Sequence, residues 1–115
     1  MINEKVYKKL IGIAKRKNVI PYEDLVIDCN LPINLDNVKG RNELSKTLGE
    51  ISTEEFKHKR PLISVLVVLK NQHPIIPSYG FFTLVDELGV RKPGETNEQV
   101  RNRLMNEVYR YWFKK

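Results

Sequence analysis

The stretch EFKHKRPLISVLVVLK, Glu55 to Lys70, changes character at Pro61. Before the proline stand Lys57, His58, Lys59 and Arg60; after it, Leu62 to Leu69 are apolar apart from Ser64. A β-branched apolar run of this length predicts a strand covered on both faces. The proline disfavours helical backbone at Arg60, so a helix carrying Glu55 ends there. The basic run reads in two ways: as a grip on a polyanion, or as the charged margin that keeps a strand edge soluble.

Upstream the period is helical. Ile2, Val6, Tyr7, Leu10, Ile13 and Ala14 predict a helix from Ile2 to Lys17, with Asn18 as its left-handed stop. Pro21 suits a first helical position, and Tyr22, Leu25, Val26 and Cys29 give a short second helix one face. Residues 30–40 form a turn-rich loop. A third helix starts near Arg41, with Leu44, Leu48 and Ile51 on one side. Ser52 and Glu55 have the spacing of a capping box that restarts a helix. Downstream, residues 70–74 predict a turn and Ile75-Ile76 a short returning strand. A helix runs from Phe81 or Phe82 to Leu88 and stops at Gly89. Thr96 and Gln99 form a second capping box ahead of a final helix striped by Val100, Leu104, Val108 and Trp112. The fold class expected is α+β: a winged-helix-like helical domain with a short β-hairpin and two C-terminal helices. Residues 1–115 read as a single domain.

Residues 20–25 (IPYEDL), the helix around Gly40 to Gly49 and the run RPLISVLVV at 60–68 resemble the winged-helix DNA-binding domain of the alkyltransferase-like proteins. The likeness covers roughly residues 19–69. It implies that the third helix enters the major groove and the hairpin flanks it. It does not imply alkyl transfer, because the Pro-Cys-His-Arg motif of that family has no counterpart here. RPLISVLVV followed by GFFTLVDELG also resembles small uncharacterised bacterial and phage proteins, a likeness that brings no activity with it.

Composition narrows the function classes. With 41% hydrophobic and 30% charged residues the 115-residue chain has the make-up of a globular protein. One cysteine, Cys29, excludes an internal disulfide framework and a cysteine-built zinc site. No apolar run approaches the length of a membrane span, and the N-terminus lacks an apolar signal core, so a cytoplasmic protein is expected. The net charge is +6, from 20 basic and 14 acidic residues. The surplus sits at the two ends, in residues 1–17 and 91–115, and favours an anionic partner. Abundant Lys, Asn and Ile agree with AT-rich coding, as in a low-GC genome or a mobile element.

Catalytic chemistry finds no frame in this sequence. Cys29 falls on an apolar helix face, where a thiol behaves as a small hydrophobe. His58 and His73 have no ligand spacing. Glu55 and Lys57 match the tail of a nuclease motif without its partner acid. No phosphate loop, dinucleotide fingerprint or nucleophile elbow is present. No enzyme, metal or cofactor is expected. Arg41, Asn42, Ser45 and Lys46 share the polar side of the third helix, and Arg and Asn are the side chains that read guanine and adenine. With Lys57, Lys59 and Arg60 for phosphate they make a nucleic-acid-binding set for duplex DNA. Tyr79 and Phe81 on a loop, and Tyr109, Arg110 and Phe113 near the C-terminus, make a second set suited to a protein partner. The expected function is thus a small non-enzymatic DNA-binding protein, regulatory or encoded by a phage or mobile element. The alternative is a protein–protein interaction module, such as an inhibitor of a host or defence enzyme; a nuclease accessory is third. A homodimer fits any of these.

Overall fold

The computed structural model describes residues 2–70, 77 and 80–113. Caps set the helix ends. Asn3 accepts the Val6 N–H through Oδ1 at 3.1 Å and starts α1, Glu4–Lys15. The left-handed residue after α1 is Lys17, φ 51°, rather than the expected Asn18. Pro21 caps α2, Tyr22–Asp28, from outside the helix instead of forming its first residue. Asn37 Oδ1 accepts the Gly40 N–H at 2.7 Å and starts α3, Val38–Lys57. Gly89, φ 68°, follows α4, Phe81–Glu87, as expected. The capping box of α5, Asn97–Phe113, is reciprocal: Gln99 N–H donates to Thr96 Oγ1 at 3.1 Å and Thr96 N–H to Gln99 Oε1 at 2.9 Å.

The central stretch departs from expectation in two places. First, α3 is one 20-residue helix with no restart at Ser52. The Ser52 hydroxyl is fully buried and donates to Ser64 Oγ at 2.7 Å, while accepting the Ser64 N–H at 3.1 Å. A pattern that reads locally as a cap is spent on a tertiary contact. Second, most of the expected strand is a 3-10 turn, Ile63–Leu66, leaving only Val67–Val68 as strand β2. That turn packs against α1, α3 and α5, and its four residues are all buried. A segment covered on every side carries no alternation, so its apolar run fits either geometry. The Ser52 hydroxyl satisfies the Ser64 amide that a neighbouring strand would otherwise take.

β2 pairs parallel with β1, Ile20–Pro21, in the register Ile20 with Val67. The fold is therefore α+β, with five α-helices and a two-stranded parallel sheet among the described residues. The expected turn at 70–74 and returning strand Ile75-Ile76 fall almost wholly outside the described residues; Val68 does form an antiparallel bridge with Pro77. The core is continuous, drawing on every element, with Leu10, Leu25, Leu44, Ile63, Leu66 and Leu104 at or below 1% exposure. Among the described residues no helix is long and apolar enough to cross a membrane.

Candidate nucleic-acid interface and a basic groove

The two halves of α3 differ in charge. On the N-terminal half Val38, Lys39, Asn42, Glu43 and Lys46 border one shallow depression. All five are exposed, Val38 to 61%. Of the residues expected here, Asn42 and Lys46 stand in solvent. Arg41 does not: it is half-buried and its Nη1 donates to the Leu35 carbonyl at 3.1 Å, tying α3 to the preceding loop. Ser45 is also half-buried, beside Gly80. Lys39 and Val38 escape the sequence reading because it starts the helix at Arg41. The C-terminal half carries Glu50, Glu54 and Lys57, and shares a hollow with Glu4 of α1. The first half thus presents a basic surface and the second an acidic one.

Lys57, Lys59 and Arg60 lie at the far end of the helix, about 22 Å from Asn42 at 1.5 Å per residue. Lys57 and Lys59 are exposed. Arg60 is committed to the interior. Its Nε donates at 2.7 Å to Oε1 of Glu55, a carboxylate only 1% exposed, and the Tyr7 hydroxyl donates to the same oxygen at 2.8 Å. Burial, and then the bond to Glu55, push the Tyr7 hydroxyl up to about 12. Arg60 thus fastens the end of α3 to the core rather than reaching for phosphate, whereas Lys59 stays outward.

Lys59 and Arg60 meet Arg110 of α5 around one groove of about 650 Å³. Its walls are Phe56, Pro61, Leu62, Val90, Leu104 and Tyr111, with Glu107 on the rim. Phe56 is 44% exposed there. The wall at Val90 is held by an ion-pair clip. Arg103 donates to both Glu95 oxygens at 2.7 and 2.8 Å, to the Val90 carbonyl at 2.9 Å and to Glu107 at 3.2 Å. Arg91 adds bonds to Asp86 and Asn97 at 2.7 and 2.8 Å. The guanidinium of Arg103 and the Lys92 amide hold the Glu95 carboxyl down to about 2.

The aromatic partner set is dispersed. Phe81 is 4% exposed and packs edge-on against Phe82 at 5.6 Å, so its burial removes it as a surface anchor. Tyr79 lies outside the described residues. Tyr109 is half-buried and its hydroxyl donates to the Asn18 carbonyl at 2.9 Å, joining α5 to the end of α1. Phe113 is 58% exposed beneath Lys17, whose Nζ stands 4.3 Å from the ring centroid. Arg110 is exposed. Trp112, expected at the end of the buried stripe, is half-buried and packs edge-on against Tyr7 at 6.2 Å and Tyr111 at 4.9 Å.

Comparison of the chain with protein-family models, with curated proteins and with solved structures finds no match.

Proposed function

We propose that the protein is a non-catalytic DNA-binding protein of winged-helix type, reading duplex DNA with the N-terminal half of α3. The observation that carries this reading is Asn42, exposed between Lys39 and Lys46 on that half of the helix. Helix-turn-helix proteins present the N-terminal residues of their recognition helix to base edges. Asn42 is then the reader of adenine, Val38 an apolar contact for a thymine methyl, and the two lysines contacts for phosphate. The order α1-β1-α2-α3-β2 and the antiparallel bridge from Val68 to Pro77 support this reading; the described sheet is β1 paired parallel with β2. The nine residues between α2 and α3 exceed the tight turn of a minimal helix-turn-helix. Their hold on α3, through Arg41 and Leu35, compensates by fixing the helix start.

Selection of preferred duplexes from a random pool, followed by anisotropy titration, tests the reading. Asn42→Ala should cost about 1–3 kcal/mol on a selected site and little on random duplex. Lys46→Ala should weaken both alike. Absence of duplex binding at low salt, or equal loss on all sequences from Asn42→Ala, overturns it.

A further inference from the structure

We propose that the groove between the end of α3 and α5 docks an acidic peptide segment of a protein partner. One apolar side chain of that segment sits on the groove floor, between Lys59 and Arg110. The site lies at the opposite end of α3 from Asn42 and stands independently of DNA binding.

Charge complementarity fixes the occupant. The exposed charges on the rim are Lys59 and Arg110. Arg60 is offset by buried Glu55, and Glu107, the acid on the rim among the described residues, shares Arg103 with Glu95, its own oxygen at 3.2 Å. The charge lining the groove is net positive, Lys59, Arg60 and Arg110 against Glu107. The floor is uncharged: Phe56, Pro61, Val90 and Tyr111 offer apolar surface over buried Leu62 and Leu104. At about 650 Å³ the groove matches a side chain and its flanking backbone, within the range of about 300–1,000 Å³ typical of ligand sites. A nucleic-acid strand needs an extended track of cations along its backbone; two exposed cations on either side of a short apolar floor suit carboxylates flanking one apolar anchor. The Arg103–Glu95 clip fixes the Val90 wall before any partner arrives, which lowers the cost of ordering on binding.

The backbone at Lys59 supports the assignment. Lys59 is the left-handed residue after α3, φ 60°, with the Arg60 N–H closing onto the Glu55 carbonyl at 2.8 Å. Glycine is the residue favoured in that conformation. Lysine is strained there, and its side chain stands at the groove rim.

The test is anisotropy with a labelled heptapeptide bearing one central Phe between acidic residues. Controls are the same peptide with central Ser, a Lys-flanked Phe peptide and single-stranded oligo-dT. The acidic Phe peptide should bind at least tenfold tighter than each control. Lys59→Glu with Arg110→Glu should lower that affinity at least tenfold without changing the melting temperature. Lys59→Gly, which relieves the backbone, should keep or raise stability while weakening the peptide severalfold. Failure of the peptide to bind, equal binding of the Ser peptide, tighter binding of oligo-dT, or unchanged affinity in Lys59→Gly each overturns the proposal.

Discussion

Glu55 shows how one residue type serves two readings. At the end of a Ser-x-x-Glu pattern it looks like a helix cap, yet it is a buried carboxylate fixed by Arg60 and Tyr7. Nothing in the local spacing distinguishes these; the partner Tyr7 is 48 residues away. Removing one member of a buried pair strands the other charge, at a cost of about 3–5 kcal/mol. Because Arg60 is partly exposed, Arg60→Ala should fall near the lower end, about 3 kcal/mol, by urea unfolding. Lys57→Ala, three residues away on the surface, should stay within about 0.5 kcal/mol. Equal small effects from both would mean that the pair does not hold α3 to the core.

The elements legible in the sequence are those whose signals are local. The stripe of α1, the Val100, Leu104 and Val108 part of the α5 stripe, the Thr96–Gln99 box and the Gly89 stop are signals local in the chain, and the structure has them, while Trp112 is half-buried. The single long α3, the 3-10 turn and the groove depend on contacts between distant segments. The groove joins Phe56 and Lys59 to Arg110, roughly fifty residues on, so Arg110 and Lys59 were visible only as members of separate sets. Gly40 is another such case. It reads as the end of a loop but lies buried in the first turn of α3 with the Asn34 backbone pressed where a Cβ would stand. Gly40→Ala must displace that loop, and overpacking of this kind costs about 1–3 kcal/mol; thermal unfolding checks it. The loss should exceed that of Gly49→Ala, where the added methyl meets open space and helix propensity improves. The α4–α5 loop offers a test by pH. The Glu95 carboxyl is held down to about 2, so its pairing with Arg103 contributes stability above the ordinary value of 4.5. That contribution is lost as pH falls from about 4.5 through about 2. Glu95→Gln never has it. Its unfolding midpoint should therefore fall less steeply than the wild-type midpoint over that acid window, and parallel profiles would show that the clip is not closed.

At the scale of the whole molecule the chain carries a net charge of +6, whatever pairs its charges form. The α1 and α5 ends meet, where Tyr109 bonds Asn18 and Lys17 covers Phe113, so part of that surplus forms one basic corner around Lys15, Arg16 and Lys17. The N-terminal half of α3 has only Lys39 and Lys46 as exposed cations. These two geometries predict different salt dependence. Each phosphate neutralised on a duplex contributes about −0.9 to the slope of log K against log salt. If α3 alone makes the contact, a selected site should show a slope of roughly −2, and Lys39→Ala with Lys46→Ala should bring it close to zero. Changing Lys15, Arg16 and Lys17 together to alanine should then lower the association rate, through the weaker long-range field, and leave the slope nearly unchanged. A steeper slope, roughly −3, that survives loss of Lys39 and Lys46 but collapses with the three residues of the corner would overturn that placement. The phosphate contact would then belong to the junction of α1 and α5, and α3 would retain no part in holding DNA.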